Sequence, residues 1–343
     1  MSRTAGREST LPPTLADVAE LAGVSRQTVS NAVNNPDLLR PDTLHRVQDV
    51  IDRLGYSPNR AARNLRTRAS HLIGLRFTPV QEGTANATMD RFVHSLVETS
   101  SAAGYHVLLF PGHPEDPTAG YDDLLRSTAV DAFVATDTYL GNPQAAWLQS
   151  RRATFVAFGR PWDNPEATHP WVDVDGAAGA ELATQHLLGR GHERIAWMGW
   201  RKEQVIGEDR RSGWTRAMRS RGLATTGLAS RTDDTVGSGR EAAAVLLDEA
   251  HPTGFVCASD TVALGVLHTL AERGLVAGRD VAVVGFDDSQ VAQVVPPGLT
   301  SIRQPLEEVA VEIVRALEGL LGHPPERLGG VLLTPELVVR GTS

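Results

Sequence analysis

Cysteine is nearly absent: Cys257 is the only one in 343 residues. No intrachain disulfide can form, which fits a reducing compartment and leaves the fold to buried apolar surface. No run of about 18 consecutive apolar residues exists, so no membrane-spanning helix is expected. The opening residues, MSRTAGRESTLPPT, lack the apolar middle region of a secretory signal, and a cytoplasmic location is expected. Signatures of catalysis are missing too. The chain has no Gly-rich phosphate loop, no G-x-S-x-G elbow and no H-E-x-x-H pair. His186 and His192 stand six apart, off the metal-ligand spacing for one helix face, with no acid to complete a set. These absences argue against an enzyme and predict no metal and no cofactor.

What is present divides unevenly. The net charge is -8, but residues 1–68 hold 10 Arg against 7 Asp or Glu, so this stretch carries +3 and the remainder -11. A locally basic segment on an acidic body suits a nucleic-acid binder that avoids indiscriminate DNA contact. Hydrophobic residues make up 41% of the chain, enough for a small domain plus one or two larger ones.

The basic stretch is organised. Thr14 is an N-cap candidate, with Asp17 as the acid of a capping box, and Leu15, Val18, Ala19 and Ala22 share one helical face. Gly23 ends that helix, Val24 plugs the turn, and Ser25 caps a second helix over 26–33 with Val29, Ala32 and Val33 apolar. This is helix-turn-helix spacing, in which the start of the second helix meets base edges in the major groove. An ordinary helical hairpin with a polar turn would show the same local pattern. Asn34-Asn35-Pro36 breaks the second helix, and Pro41 opens a third with Leu44, Val47, Val50, Ile51 and Leu54 apolar and Gly55 as its stop. The segment from Asn59 to Arg68 carries Arg60, Arg63, Arg66 and Arg68 and no acid. It is too short and charged to be a stable helix alone, so it is either a solvated linker or a segment that folds once phosphates neutralise it.

From His71 onward, strand-like and helix-like runs alternate, as in βαβ units with parallel sheets. The strand candidates are HLIGLRF, YHVLLF, VDAFVA and ATFVAF, then WVDVD opening a second cycle with RIAWMG, TGFVCAS and DVAVVGF. TSIRQP crosses back, a long helix follows over 306–321, and GVLLT and ELVVRG close the chain. Helices are also expected over 89–103, 121–127, 144–150, 177–189, 210–221, 239–249 and 260–273. Two similar halves suggest two lobes, with a ligand cleft beyond the carboxyl ends of the strands.

The motifs TLADVAELAGVSRQTVSNAVN, GYSPNRAARNL and SHLIGL, with PELVVRG at the end, resemble the LacI/GalR family of transcriptional repressors along nearly the whole chain. The resemblance implies an N-terminal all-α helix-turn-helix headpiece and an α/β two-lobed, periplasmic-binding-protein-like body with parallel sheets. The expected division is a disordered tail over 1–13, a headpiece over 14–57, a hinge over 58–70 and a body over 71–343. Within the body, one lobe is expected over 71–171 and 303–334, the other over 172–302 and 335–343. The resemblance further implies double-stranded operator DNA, a small-molecule effector such as a sugar, and a second copy of the chain as partners, with no membrane. The chain ends without a leucine heptad tail, so a tail-mediated tetramer is not expected.

The DNA-facing set implied is Thr14, Ser25, Arg26, Gln27, Thr28, Ser30, Asn31, Asn34, Tyr56, Asn59, Arg60, Ala62 and Arg63, with Leu65 as the leucine that wedges into the minor groove. Asn31 stands where many members carry Arg, which changes one base contact. The effector set implied is Arg210 in R-x-x-G-W, Ser259 in ASD, Asp287 in GFDD and Gln304 in IRQP. Ser259 replaces an Asn of several sugar-responsive members and reaches less far. Phe77, Thr78 and Asp90 are first-lobe candidates by position. Trp162 and Trp171 flank a polar loop and either stack on a sugar or pack in the core. Asp260 and Asp288 are helix-start or loop carboxylates with a capping role as the competing reading. Two other classes remain to be weighed: a solute-binding protein with no DNA role, and an enzyme on a doubly wound fold.

Overall fold

The computed structural model describes residues 13–56, 69–77, 87–113, 116–136, 138–162, 164, 166–202, 204–322 and 329–343. The expected tail and hinge therefore lie outside the described residues, apart from Pro13, Ala69 and Ser70. The chain divides into two units, Met1–Ser70 and His71–Ser343.

Among its described residues the first unit holds three α-helices, α1 (Leu15–Ala22), α2 (Arg26–Asn34) and α3 (Pro41–Leu54), with a 3-10 turn at Pro36–Leu38 between the last two. Short helices depend on their ends, and these ends are well made. Thr14 and Asp17 form a reciprocal capping box, the Asp17 carboxylate accepting from the Thr14 N–H at 2.7 Å. Gly23 and Gly55 close α1 and α3 in the left-handed region, both at φ 62. Val18, Val29 and Val47 are fully buried, one from each helix, with Val24 and Tyr56 packed around them.

The second unit holds two six-stranded sheets. The first half runs β1 (Leu72–Phe77), α4 (Ala87–Ala102), β2 (His106–Pro111), α5 (Tyr121–Arg126), β3 (Ala132–Ala135), α6 (Gln144–Ser150), β4 (Phe155–Phe158) and β5 (Trp171–Val174). The second runs α7 (Gly176–Gly189), β6 (Ile195–Trp200), α8 (Val205–Ser220), β7 (Ala229–Thr232), α9 (Val236–Glu249), β8 (Gly254–Cys257), α10 (Asp260–Glu272), β9 (Ala282–Phe286), α11 (Gln290–Val294) and β10 (Thr300–Arg303). The chain then returns through α12 (Leu306–Gly322), β11 (Gly330–Leu333) and β12 (Glu336–Val338).

Sheet order is β11-β5-β4-β3-β1-β2 in one lobe and β12-β10-β9-β8-β6-β7 in the other. Among the described residues the named strands pair in parallel except β10 with β12. The central strands are apolar on both faces, as buried parallel strands must be: β3, β8 and β9 are buried at every position.

Three expectations are corrected, and two elements are added. Trp171 does not open a second cycle: β5 pairs with β4 and β11 in the first sheet, and the chain crosses only at Asp175. The first lobe thus extends past residue 171, because β5 supplies the slot that β11 later joins. The helix expected from Arg210 begins at Val205, so Arg210 lies inside α8 rather than at its start. No side-chain cap marks that beginning, since Gln204 makes no capping bond. β7 and α11 went unforeseen, the first a polar edge strand of sequence ASRT and the second only five residues long.

The two helices at the lobe junction approach closely. A Cβ on Gly213 of α8 would lie 1.9 Å from the carbonyl oxygen of Ala177 in α7. Only glycine permits this contact. Gly213→Ala is expected to destabilise the body by roughly 1–3 kcal/mol, or more if α7 cannot shift. Denaturant unfolding followed by far-UV circular dichroism measures this.

Candidate functional site

In the headpiece, the turn and its following helix present a polar, accessible end. Ser25 caps α2 by accepting from the Thr28 N–H at 3.1 Å, and its hydroxyl meets that of Thr28 at 2.9 Å. The cap fixes the direction in which Arg26 and Gln27 leave the backbone. Ser25, Arg26 and Gln27 are exposed, while Thr28, Ser30 and Asn31 are half-buried. Gln27 Nε2 donates to Asn31 Oδ1 at 3.1 Å, so the two amides form one unit on the helix surface. The Asn34 side chain turns inward, donating to the Ser30 carbonyl at 2.7 Å, and finishes the helix. Tyr56 packs on the headpiece core. Thr14 is occupied by its capping box. Asn59, Arg60, Ala62, Arg63 and Leu65 lie outside the described residues, as does Thr78.

In the body, three expected residues, Arg210, Asp287 and Gln304, come together on the second lobe, and Ser259 is held apart by its cap and Asp234. Arg210 projects from α8 and is 6% exposed. Its guanidinium lies 3.7 Å above the Phe286 ring and 5.1 Å from the Trp200 ring. Nη1 donates to the Ala258 carbonyl and stands 3.8 Å from Asp287 Oδ1. Gln304, in the return crossover, donates to the same Asp287 oxygen at 2.7 Å. Asp287 follows β9 with φ 107, a left-handed conformation rare outside glycine. The turn that delivers its carboxylate is therefore held by its surroundings. Ser259 caps α10 through the Val262 N–H and donates its own hydroxyl to Asp234. Trp200 Nε1 and Arg210 Nε are buried donors without a protein hydrogen-bond partner among the described residues, groups whose desolvation a ligand oxygen can offset.

The first lobe contributes a second cluster. Arg160 follows β4 and donates from Nε to Asp173 at 2.6 Å. It also lies over the Trp162 ring at 4.4 Å, and Trp162 Nε1 donates to Thr138 at 3.3 Å. Trp162 thus stands with an arginine at the lobe junction. Trp171 does not: it packs on the first-lobe core and against Gly330. Phe77 is 41% exposed at the end of β1. Asp90 stands in the first turn of α4 with His94 as its neighbour at 3.6 Å, and no bond joins it to the cluster. Arg160, Asp173, Asp209, Trp200 and Asp234 went unforeseen, although Arg160 and Trp200 stand at strand ends where that topology places ligand contacts.

Asp260 and Asp288 serve the scaffold. Asp260 accepts from Ser289 N–H at 2.7 Å, Ser289 hydroxyl at 2.8 Å and Ser301 hydroxyl at 2.6 Å. Asp288 is clamped by Arg303 at 2.7 Å and Arg340 at 2.5 Å. Together they hold the loop that carries Asp287. Cys257 is fully buried in β8, and burial pushes its thiol well above the usual range, so it is core.

Electrostatics separate the carboxylates. Burial pushes Asp287 up to about 7, against the pull of Arg210. Burial likewise raises Asp260 to about 6, opposed by its three hydroxyl and amide donors. Arg210 is lowered by burial, and Asp287, Asp234, Asp209 and Asp173 counter that loss.

A helix-turn-helix unit followed by a two-lobed α/β body with a buried polar cluster defines a class: DNA-binding regulators with a periplasmic-binding-protein-like domain. Residues 14–59 match the model for bacterial regulatory proteins of the lacI family, and residues 184–343 match the periplasmic binding protein-like domain. The regulator CelR of Thermobifida fusca is 35% identical over 335 residues, spanning 96% of this chain and 97% of that protein. The ribose operon repressor of Escherichia coli is 27% identical over 96% of this chain and 99% of its own length. A CelR–cellobiose complex superposes with a TM-score of 0.74 at 31% identity, covering 96% of this chain and all of that one. The lac repressor dimer bound to operator superposes at 0.83 with 26% identity, covering 97% and 99%. The chain belongs to the lacI family of bacterial regulatory proteins; it is a transcriptional regulator and not an enzyme. Among the described residues no helix is long and apolar enough to cross a membrane.

The raised Asp287 has a consequence for stability. Its folded-state value of about 7 lies above the ordinary 3.8, so folding favours the protonated form. That contribution is full below about pH 4 and is lost as pH rises through about 7. Body stability is expected to fall over this window by something on the order of a few kcal/mol, and Asp287→Asn to flatten the dependence. Urea midpoints at pH 5 and pH 8 for the two proteins test it; equal slopes would refute the assignment.

Proposed function

We propose that the protein is a repressor that binds a pseudo-palindromic operator as a homodimer and releases it when a sugar occupies the cleft between the lobes. The observation that carries this reading is the cluster of Arg210, Asp287 and Gln304, with Arg160, which lies over Trp162, reaching Asp209 next to Arg210 on α8. A carboxylate accepts from sugar hydroxyls, a guanidinium donates to hydroxyl or ring oxygens, and an indole covers a sugar's apolar face. The CelR–cellobiose likeness supports a glucoside as the first ligand to try. A transport protein would have no use for the capped helix that presents Arg26 and Gln27, side chains that suit guanine and adenine edges. Arg60, Arg63, Arg66 and Arg68 of the hinge supply phosphate contacts, and Leu65 the minor-groove wedge. Sugar can alter DNA affinity only through its preference for one lobe arrangement over another.

The homodimer is supported by apolar side chains left in solvent. Leu109 on the edge strand β2 and Val97 on α4 are 47% and 44% exposed. In the other lobe, Val291 and Val294 of α11 are 40% and 75% exposed. These positions offer apolar surface that a second copy can cover.

Two experiments follow. Removing residues 1–70 is expected to abolish operator binding and leave sugar binding unchanged; a truncated body that still shifts operator DNA would overturn the headpiece assignment. Val294→Asp is expected to halve the mass seen by light scattering and to weaken operator binding on the order of a hundredfold, because the two half-sites are no longer engaged together. A dimer that persists with unaltered affinity would remove α11 from the interface.

A further inference from the structure

Asp209 precedes Arg210 on α8 and belongs to the second lobe, yet its carboxylate reaches the first. Oδ2 accepts the N–H of Ala177 at 3.1 Å, which fixes the carboxylate to the start of α7. The same oxygen stands 3.5 Å from Nη2 of Arg160. Arg160 is a first-lobe residue, anchored there by Nε on Asp173 at 2.6 Å and by Nη2 on the Val174 carbonyl at 3.2 Å. One guanidinium is therefore forked between a carboxylate of its own lobe and a carboxylate of the other. Arg160 and Asp209 side chains are 21% and 15% exposed, so solvent and salt screen the pair weakly. The charges facing Asp209 are Arg160 and Asp173 from the first lobe, Asp175 at the crossover, and Arg210 and Arg216 along its own helix.

We propose that the Arg160–Asp209 pair is an interlobe latch that holds the ligand-free body closed and thereby sets effector affinity, with Asp209 as the positioning residue. The proposal deepens the sugar-cleft reading and rests on it only for the ligand. Arg160 also lies over Trp162, so the latch fixes an arginine and an aromatic face before any ligand arrives. Preorganisation of this kind raises apparent affinity, because a ligand binds only the fraction of molecules already in the competent arrangement. Lysine at position 160 would not substitute, since a single ammonium on a flexible stem lacks the fork that meets two carboxylates at once.

The test is the lobe-to-lobe distance in the full-length protein, read by double electron–electron resonance between labels at Leu140→Cys and Lys202→Cys. Both positions are exposed, and each follows a strand at the carboxyl edge of its own sheet. The natural Cys257 is fully buried and does not take label. Asp209→Asn removes the charge and keeps an oxygen for the Ala177 N–H. The expected result is a ligand-free distance distribution shifted several ångströms longer in Asp209→Asn, with the cellobiose-saturated distributions of variant and parent coinciding. Cellobiose affinity is expected to fall about three- to tenfold, as the closed fraction falls. A ligand-free distribution identical to the parent's would overturn the latch. Arg160→Lys gives the same ligand-free readout should Asp209→Asn not fold. If cellobiose binds neither protein, that sugar is excluded, while the ligand-free distances still decide the latch.

Discussion

A guanidinium buried at the meeting of two lobes is the constraint on which the body depends. Arg210 is 6% exposed and lies between two aromatic rings. Removing such a charge from water is costly unless neighbouring charges and acceptors compensate. The compensation comes from separate parts of the chain: Asp287 after β9, the Ala258 carbonyl after β8, and Asp209 beside it on α8. Asp287 reaches its place only because Asp260 and Asp288 hold the loop from either side through Ser289, Ser301, Arg303 and Arg340. The scaffold carboxylates and the cleft carboxylate form one connected arrangement.

The headpiece solves a different problem. Its three helices are 8, 9 and 14 residues long, too short to persist alone. Reciprocal capping at Thr14 and Asp17, the Ser25 cap, two left-handed glycine ends and a shared valine core hold them. The Ser25 cap contributes about 1 kcal/mol by analogy with measured caps, and it also orients Arg26 and Gln27. Helix stability and the direction of two exposed polar side chains therefore share a residue.

Much of this was legible in the sequence because the signals are local. Thr14, Ser25, Gly23, Pro41 and Gly55 mark helix ends by their own chemistry, and each falls where its type predicts. Arg210, Asp287 and Gln304 were found through family motifs and strand-end placement, and the structure brings them into one cluster. What stayed hidden is long-range. Arg160 and Asp209 are 49 residues apart, and their meeting depends on where the chain changes lobe. That crossing was misplaced because Trp171 begins a strand that reads like the start of a new unit, while its neighbours β4 and β11 are set by pairing alone. β7 escaped because an edge strand with one neighbour needs little apolar patterning.

The central claim is that a ligand in the lobe cleft controls the affinity of the headpiece for DNA. Fluorescence anisotropy of the full-length protein with palindromic DNA from beside its own gene, at fixed salt and with a panel of sugars including cellobiose, tests it most directly. The account predicts tight, salt-sensitive binding that one sugar weakens, with the effect lost in Asp287→Asn. Tight binding that a sugar leaves unaltered, although that sugar demonstrably occupies the body, would contradict it.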